Sequence, residues 1–286
     1  MSRPLDHGHS DEFRAERHLD VLVPTRNRPA ELAVTLSGLA AQEGVPDFGV
    51  VVSDQSDDAP AYAHPAVAAM VRVLRHRGHP VLLTRRLPRR GMAEHRAALL
   101  AASTARYVLC LDDDVWLAPG TLRRLVTAIA ELGCGFVGNA VHGLSYRHDI
   151  RPETHRHYEE WDGPPVPERI RPGAPEWERA LLHPAANLLH VTERLRLPPD
   201  TWRAYKVSWI GGCVLYDREK LVDAGGFDFW RRVPERHQGE DVAAQLAVLE
   251  RYGGAGVLPS GAFHLESPTT VTEREVEAWE VLLEQA

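Results

Sequence analysis

Short apolar runs alternate along the chain with longer stretches whose apolar residues recur every three or four positions. The first run, residues 19–24, is apolar apart from Asp20 and ends at Pro24. It predicts a buried strand. Residues 29–42 then carry Leu32, Leu36, Leu39 and Ala40 at helical spacing, with Pro29 suited to the first turn. The alternation continues, predicting strands over 48–53, 80–84, 106–111 and 135–140, and helices over 66–75, 92–103 and 119–132. Such an order predicts an α/β fold with a Rossmann-like, mostly parallel central sheet flanked by helices. Sheets of this kind bind ligands outside the carboxyl ends of their strands. Asp54 and the run Asp112, Asp113 and Asp114 each directly follow a predicted strand, which puts them on one rim.

The pattern breaks at residue 142. Up to residue 199 the chain is rich in Pro, His, Arg and Trp and has little periodicity, which predicts an inserted segment that is either functional or disordered. Regular patterning returns with strands predicted over 206–216 and 255–258 and helices over 240–252 and 271–284.

The 286 residues suffice for one large α/β domain, or for a nucleotide-binding half joined to a substrate-binding half. A hydrophobic fraction of 44% and a charged fraction of 26% are ordinary for a folded soluble chain. The net charge of −7 argues against nucleic acid as the partner, because a phosphate backbone needs a basic footprint. It leaves a nucleotide ligand open, since one divalent ion neutralises a diphosphate. No apolar stretch is long enough to cross a bilayer. Residues 1–17 are polar and lack the apolar centre of a secretory signal, so a disordered lead-in and a cytoplasmic protein are expected. Cys110, Cys134 and Cys213 form no disulfide framework or zinc spacing and are expected as buried free thiols.

The strongest local chemistry is Asp112-Asp113-Asp114. Adjacent carboxylates repel one another and call for a cation, and hard ions such as Mg2+ or Mn2+ take oxygen ligands and add phosphate oxygens readily. A solvated acidic turn would produce the same run. Glu240 and Asp241 open a predicted helix, where the helix dipole favours carboxylates and where one of them could also act as a general base. His264 follows the last short strand. It is either a packed residue or the imidazole that completes a metal site.

In their order these segments resemble family 2 glycosyltransferases, which have the GT-A fold. Val21-Leu22-Val23-Pro24-Thr25-Arg26-Asn27-Arg28-Pro29 is similar to the family's opening strand and Asn-Arg-Pro turn. Val51-Val52-Ser53-Asp54-Gln55-Ser56-Asp57 is similar to its Val-Asp-x-x-Ser segment, and Arg90-Gly91-Met92-Ala93-Glu94-His95-Arg96 to its Gly-x-x-x-x-Arg stretch. Leu111-Asp112-Asp113-Asp114 resembles the Asp-x-Asp motif. Gly225-Gly226-Phe227-Asp228 and Gly239-Glu240-Asp241-Val242 resemble the acceptor-side signatures. The resemblance spans residues 19–265. It departs at Ala97, where the family commonly has Asn, and in the Arg-rich stretch 229–238.

The resemblance implies an enzyme that moves a sugar from a UDP-, GDP- or dTDP-sugar to a hydroxyl or amine of a small-molecule or glycan acceptor, with Mn2+ or Mg2+ as cofactor. Pro24, Thr25, Arg28 and Asp54 would surround the base and ribose, and Arg96 would face the nucleotide. Asp112 would contact the ribose or the metal's water shell, Asp113 would be a further cofactor-binding residue, and Asp114 and His264 would lie at the metal. Asp241 would be the base, Glu240 the second candidate, and inversion at the anomeric carbon the outcome. Residues 18–140 would be the nucleotide-sugar half, 141–265 the acceptor and catalytic half with its 142–199 insertion, and 266–286 a terminal helical segment.

Weaker features remain. His142, His148, His155, His157, His183 and His190 match no compact zinc spacing. Trp161, Trp177, Trp202 and Trp209 suit either core packing or a sugar-stacking platform. Arg85, Arg86, Arg89 and Arg90 form either a solvated face or a diphosphate contact. Two rival functions are a sugar-nucleotide nucleotidyltransferase and a non-catalytic nucleotide-sugar binder. Against the first, the loop after the first strand, Pro24 to Arg28, contains no glycine.

Overall fold

The structure, a computed structural model, describes residues 17–45, 47–270 and 274–284. The first half runs β1 (Leu19–Thr25), α1 (Pro29–Ala40), β2 (Phe48–Asp54), α2 (Pro65–His76), β3 (Val81–Arg85), α3 (Met92–Ala101), β4 (Tyr107–Leu111), β5 (Val115–Leu117), α4 (Thr121–Leu132), β6 (Phe136–Gly138) and β7 (Val141–Gly143). The second half runs α5 (Pro152–His155), α6 (Asn187–Leu195), β8 (Arg203–Tyr205), β9 (Cys213–Asp217), α7 (Arg218–Asp223), β10 (His237–Gln238), α8 (Glu240–Tyr252), β11 (Gly254–Leu258), β12 (Ala262–His264), β13 (Val276–Glu277) and α9 (Ala278–Glu284).

The main sheet has eight strands in the order β3-β2-β1-β4-β9-β6-β11-β8. β9 runs antiparallel to both β4 and β6, and β8 antiparallel to β11, while the other pairings are parallel. Both faces are covered. Leu19, Val21 and Val23 of β1 pack on one side with Leu32, Leu36 and Leu39 of α1. Leu22 points the other way, into a cluster that includes Leu99 of α3 and Leu246 of α8. A strand buried on both faces has no polar side to show, which is why these runs are nearly continuous in apolar residues. Each fully buried leucine contributes about 2 kcal/mol of transfer free energy. Asp20, the polar interruption in β1, is buried but satisfied by Ser103 Oγ at 2.6 Å and Arg17 Nε at 2.9 Å.

Of the predicted strand over 206–216 only the part from Cys213 is strand, as β9, while β8 ends at Tyr205 before the predicted run begins. β8 lies at the sheet edge and β9 between β4 and β6, and the chain leaves the sheet in between. Buried Gln245 of α8 holds the excursion by donating to Ile210 O and accepting from Ile210 N, both at 2.8 Å. Gly212, at φ +76°, then turns the backbone so that its carbonyl accepts from Asp112 N at 3.0 Å. The insertion is more ordered than its composition predicts: it contains α5, α6 and a 3-10 segment at Pro175–Leu182, and Leu182, Leu188 and Val191 enter the core.

Residues 1–16 of the 1–17 lead-in lie outside the described residues, as do residues 271–273 of the predicted terminal helix. That helix begins only at Ala278, because Val276 and Glu277 form a strand against β10. Among the described residues no helix is long and apolar enough to cross a membrane. All three cysteines are free and buried, as the sequence predicts.

Candidate active site

The carboxyl ends of β1 and β4, the start of α3 and the start of α8 enclose a cleft of about 670 Å3. That size lies within the range of small-molecule sites. Its lining brings together Pro24, Thr25, Arg28 and Arg96 with Asp112, Asp113, Asp114, Glu240, Asp241 and His264. Three strands of a second sheet, in the order β5-β12-β7, close one side. β12 runs antiparallel to β5 and pairs His264 with Val115, and Leu265 N donates to Asp114 O at 2.8 Å. This register sets His264 Nε2 3.4 Å from Asp114 Oδ2. Glu266 N donates to His264 Nδ1 at 2.9 Å, so the Nε2 proton points at the carboxylate.

Arg28 sits between two of the aspartates. Its Nη1 donates to Asp114 Oδ2 at 2.7 Å and to Asp113 Oδ1 at 3.1 Å, and its Nη2 donates to the carbonyl of Pro268. Thr25 Oγ1 donates to Asp113 Oδ2 at 2.6 Å. Burial pushes the Asp113 carboxyl up to about 7, against the pull of Thr25 and Arg28. For Asp114 burial acts in the same direction, but the His264 hydrogen bond and the Arg28 charge outweigh it and hold its pKa below the ordinary carboxylate value. The same bond raises His264.

A second ion-pair chain crosses the floor. Arg96 Nε donates to Glu240 Oε1 at 2.8 Å and Nη2 to Asp112 Oδ1 at 2.9 Å. Burial works against the Arg96 charge, but Asp112 and Glu240 overcome it and raise its pKa. Asp241 accepts Val242 N–H at Oδ1, 2.9 Å away, and among the described residues its Oδ2 has no hydrogen-bond partner. Burial, followed by the nearby charge of Glu240, raises Asp241 well above the ordinary carboxylate range.

Not every expected residue lines the cleft. Asp54 is fully buried beneath it, where its Oδ1 accepts Ser56 N at 2.6 Å and its Oδ2 accepts Ala61 N at 2.5 Å. Its neighbour Gln55 reaches the cleft instead. Of the basic patch, Arg89 lines the cleft and pairs with Asp57 at 3.0 Å, while Arg86 pairs with Glu94. No tryptophan lines it. Trp177 packs on Trp209 at 4.6 Å and on Trp279 at 4.9 Å, and Trp161 donates to Gly254 O at 3.2 Å. His190 bonds Arg147 O at 2.8 Å.

The sequence reading did not single out His237, which lines the cleft and accepts Ala93 N–H at Nε2, 3.0 Å away. Its place two residues before Gly239 was the available signal. Nothing in the local pattern pointed to Ser267, Thr269 and Thr270, which also line the cleft.

The profile described as glycosyl transferase family 2 matches residues 20–188, more than half of the chain. The chain belongs to glycosyl transferase family 2. Among curated proteins none matches this sequence. Solved structures similar to this family 2 chain include S. aureus TarS, with 19% identity and a TM-score of 0.53 over 88% of this chain and 37% of that one. Residues 1–349 of TarS, in complex with UDP-GlcNAc, match with 18% identity and a TM-score of 0.53 over 88% of this chain and 62% of that one. The chain therefore spans less than two thirds of either, and at this identity the likeness is one of fold, the GT-A fold expected from the motif order.

The residues present fit a divalent ion held by two protein donors. Asp114 offers a hard oxygen and His264 an imidazole nitrogen. Two donors adjacent around one ion stand about 3 Å apart, given metal–ligand bonds of about 2.1 Å, close to the 3.4 Å observed. Among the described residues no three His, Cys, Asp or Glu side chains are grouped to hold an ion. Further ligands would have to come from outside the protein.

Proposed function

We propose that this chain is an inverting, metal-assisted glycosyltransferase using a UDP-, GDP- or dTDP-sugar and a hydroxyl or amine of a small-molecule or glycan acceptor. The observation that carries this reading is that one cleft holds both the Asp114–His264 pair and an Asp241 whose Oδ2 has no hydrogen-bond partner among the described residues. In this reading residues 18–140 bind the donor and residues 141–265 the acceptor. Pro24, Thr25 and Arg28 border the base and ribose, and Asp54 shapes that wall from beneath by holding the loop that carries Gln55. Asp113, with Thr25, orients Arg28, whose guanidinium meets the donor's negative charge.

Asp114 and His264 would hold Mn2+ or Mg2+, which when bound offsets the charge of the departing diphosphate as a Lewis acid. Asp241 takes the acceptor's proton as the acceptor attacks. Its raised proton affinity suits a base working near neutral pH. The cleft holds donor and acceptor in attack geometry, which supplies much of the rate. One base and one in-line attack invert the anomeric carbon.

Calorimetry with UDP and GDP, with and without Mn2+, followed by turnover of a panel of nucleotide sugars, tests the reading. Metal-dependent binding with transfer supports it, and binding with no turnover for any acceptor makes the chain a binder instead. Proton NMR of the product tests the stereochemistry: a retained donor configuration refutes inversion.

A further inference from the structure

Arg96 is 7% exposed and is the point where three elements meet. It stands on α3, and its two contacts reach Asp112, which follows β4, and Glu240, which opens α8. Asp241, one residue beyond Glu240, has no ion-pair partner among the described residues. α3 meets the same segment at a second place. His237 Nε2 accepts Ala93 N–H at 3.0 Å while Nδ1–H donates to Pro234 O at 2.6 Å. Gly91 permits the approach: at φ +88°, a Cβ there would lie 2.5 Å from His237 Cε1 and 2.6 Å from Glu235 O.

We infer that Arg96 is a positioning residue for the proposed transfer: it ties the strand end bearing the acidic run to the helix bearing the base, and by engaging Glu240 it leaves Asp241 as the carboxylate free to accept a proton. The inference rests on the reading of Asp241 as the base. The groups whose charge reaches Asp241 are Glu240 on its own helix, Arg96 on α3 and Asp112 after β4, while Cys110 on β4 and Tyr216 on β9 are buried neutral groups whose pKa values the Asp241 charge helps to raise. Arg96 is the cation among them. Without it Asp241 faces two carboxylates alone, and its affinity for a proton rises. Lysine keeps the charge but not the two-pronged reach of the guanidinium.

The test follows the Asp241 carboxyl by NMR in the full chain labelled with 13C-carboxyl aspartate, its signal assigned by loss in Asp241→Asn. The midpoint in Arg96→Gln rises by about one pH unit and returns most of the way in Arg96→Lys. A midpoint identical to wild type in Arg96→Gln overturns the inference. If Arg96→Gln does not fold, judged by its circular-dichroism melt, Glu240→Gln is read instead. Removing that negative charge and freeing Arg96 lowers the midpoint, and an unmoved one overturns the inference. These titrations need no substrate, so they stand even if wild type turns over no nucleotide sugar and the transferase reading fails. Where wild type does turn over, Arg96→Gln lowers kcat by about tenfold or more with the donor KM within about threefold. Wild-type kcat in that variant overturns the positioning role.

Discussion

His264 stands 3.4 Å from Asp114 through its Nε2, held there by the antiparallel pairing of β12 with β5 rather than by any nearness in the chain. Arg28 Nη1 meets the same carboxylate oxygen at 2.7 Å. One oxygen thus faces both an imidazole and a guanidinium, and its pKa lies below the ordinary value because both stabilise the ionised form. An ion entering there finds a carboxylate already charged.

Asp114→Asn removes the charged donor and leaves the cleft's shape nearly intact. The enhancement of UDP or GDP affinity by Mn2+ should fall by about tenfold or more, the scale on which metal sites respond to damaged ligation. Affinity without metal should change far less. Titration calorimetry reads both, and an undiminished Mn2+ effect would remove Asp114 from the metal assignment.

Asp241→Asn keeps size and the Val242 N–H contact but cannot take a proton. Transfer should drop by about 10²- to 10⁴-fold, the usual worth of a general base. Nucleotide binding should stay within about threefold. Full activity would move the base elsewhere, first to Glu240.

The rate should also carry the mark of this carboxylate. Burial and Glu240 push Asp241 up to about 7, and a base must be ionised to work. Activity therefore rises with pH and reaches half its plateau near pH 7, whereas an ordinary carboxylate would be fully ionised by about pH 6. A kcat/KM profile flat from pH 5 to 8 would count against Asp241 as the base.

Two histidines buried away from solvent predict acid instability. His95, 1% exposed and bonded to Ser53 O at 3.1 Å, and His142, 2% exposed, are both pushed down to about 4, chiefly by burial. Their folded pKa values lie below the unfolded value of about 6.5, so between pH 6.5 and 4 the unfolded chain binds more protons. The contribution of these two histidines is therefore complete above pH 6.5 and declines as pH falls, by about 1.4 kcal/mol per pH unit for each proton. Asp113 and Asp241, raised to about 7, take up protons on folding over the same window and oppose this trend, so the readout is a difference: between pH 7.5 and 5 the melting temperature of His142→Asn, if it folds, should fall less or rise more than that of wild type. The same pH dependence in wild type and His142→Asn would contradict the assignment.

Gly91→Ala should destabilise the chain and impair turnover together. The new methyl group would meet His237 and the Glu235 carbonyl at a backbone angle alanine resists. A cost of about 1–3 kcal/mol follows from strain of this kind, lowering the melting temperature by roughly 2–10 °C for a chain of this size. An unchanged melt would mean that the 235–237 segment yields freely.

The parallel part of the sheet was legible because its strands are buried on both faces and read as unbroken apolar runs, as in Val50-Val51-Val52. β5, β7, β10, β12 and β13 were not. With two or three residues each, they are too short to show a period, and pairing with partners distant in sequence creates them. Residues 206–212 read as strand but leave the sheet, held by Gln245, a polar side chain on a helix 35 positions away that binds both Ile210 N and Ile210 O. Asp54 shows the opposite limit. Its motif placed it at the nucleotide, yet both oxygens face the backbone of the loop that follows, and local hydrogen bonding of that kind leaves no separate trace in residue type.

By itself the sequence determined the α/β order, the apolar strands and the family match that contains Asp112, Asp113 and Asp114, and it offered Glu240 and Asp241 beyond that match only as a resemblance, because periodicity and motif spacing are local properties of a chain. Only the tertiary structure decided which charges meet. It gave Arg28 to Asp113 and Asp114, Arg96 to Glu240 and Asp112, and left Asp241 without an ion-pair partner among the described residues. Those pairings depend on distances of a few ångströms between elements far apart in sequence, and electrostatic interaction is set by such distances and by burial, neither of which is written in residue order.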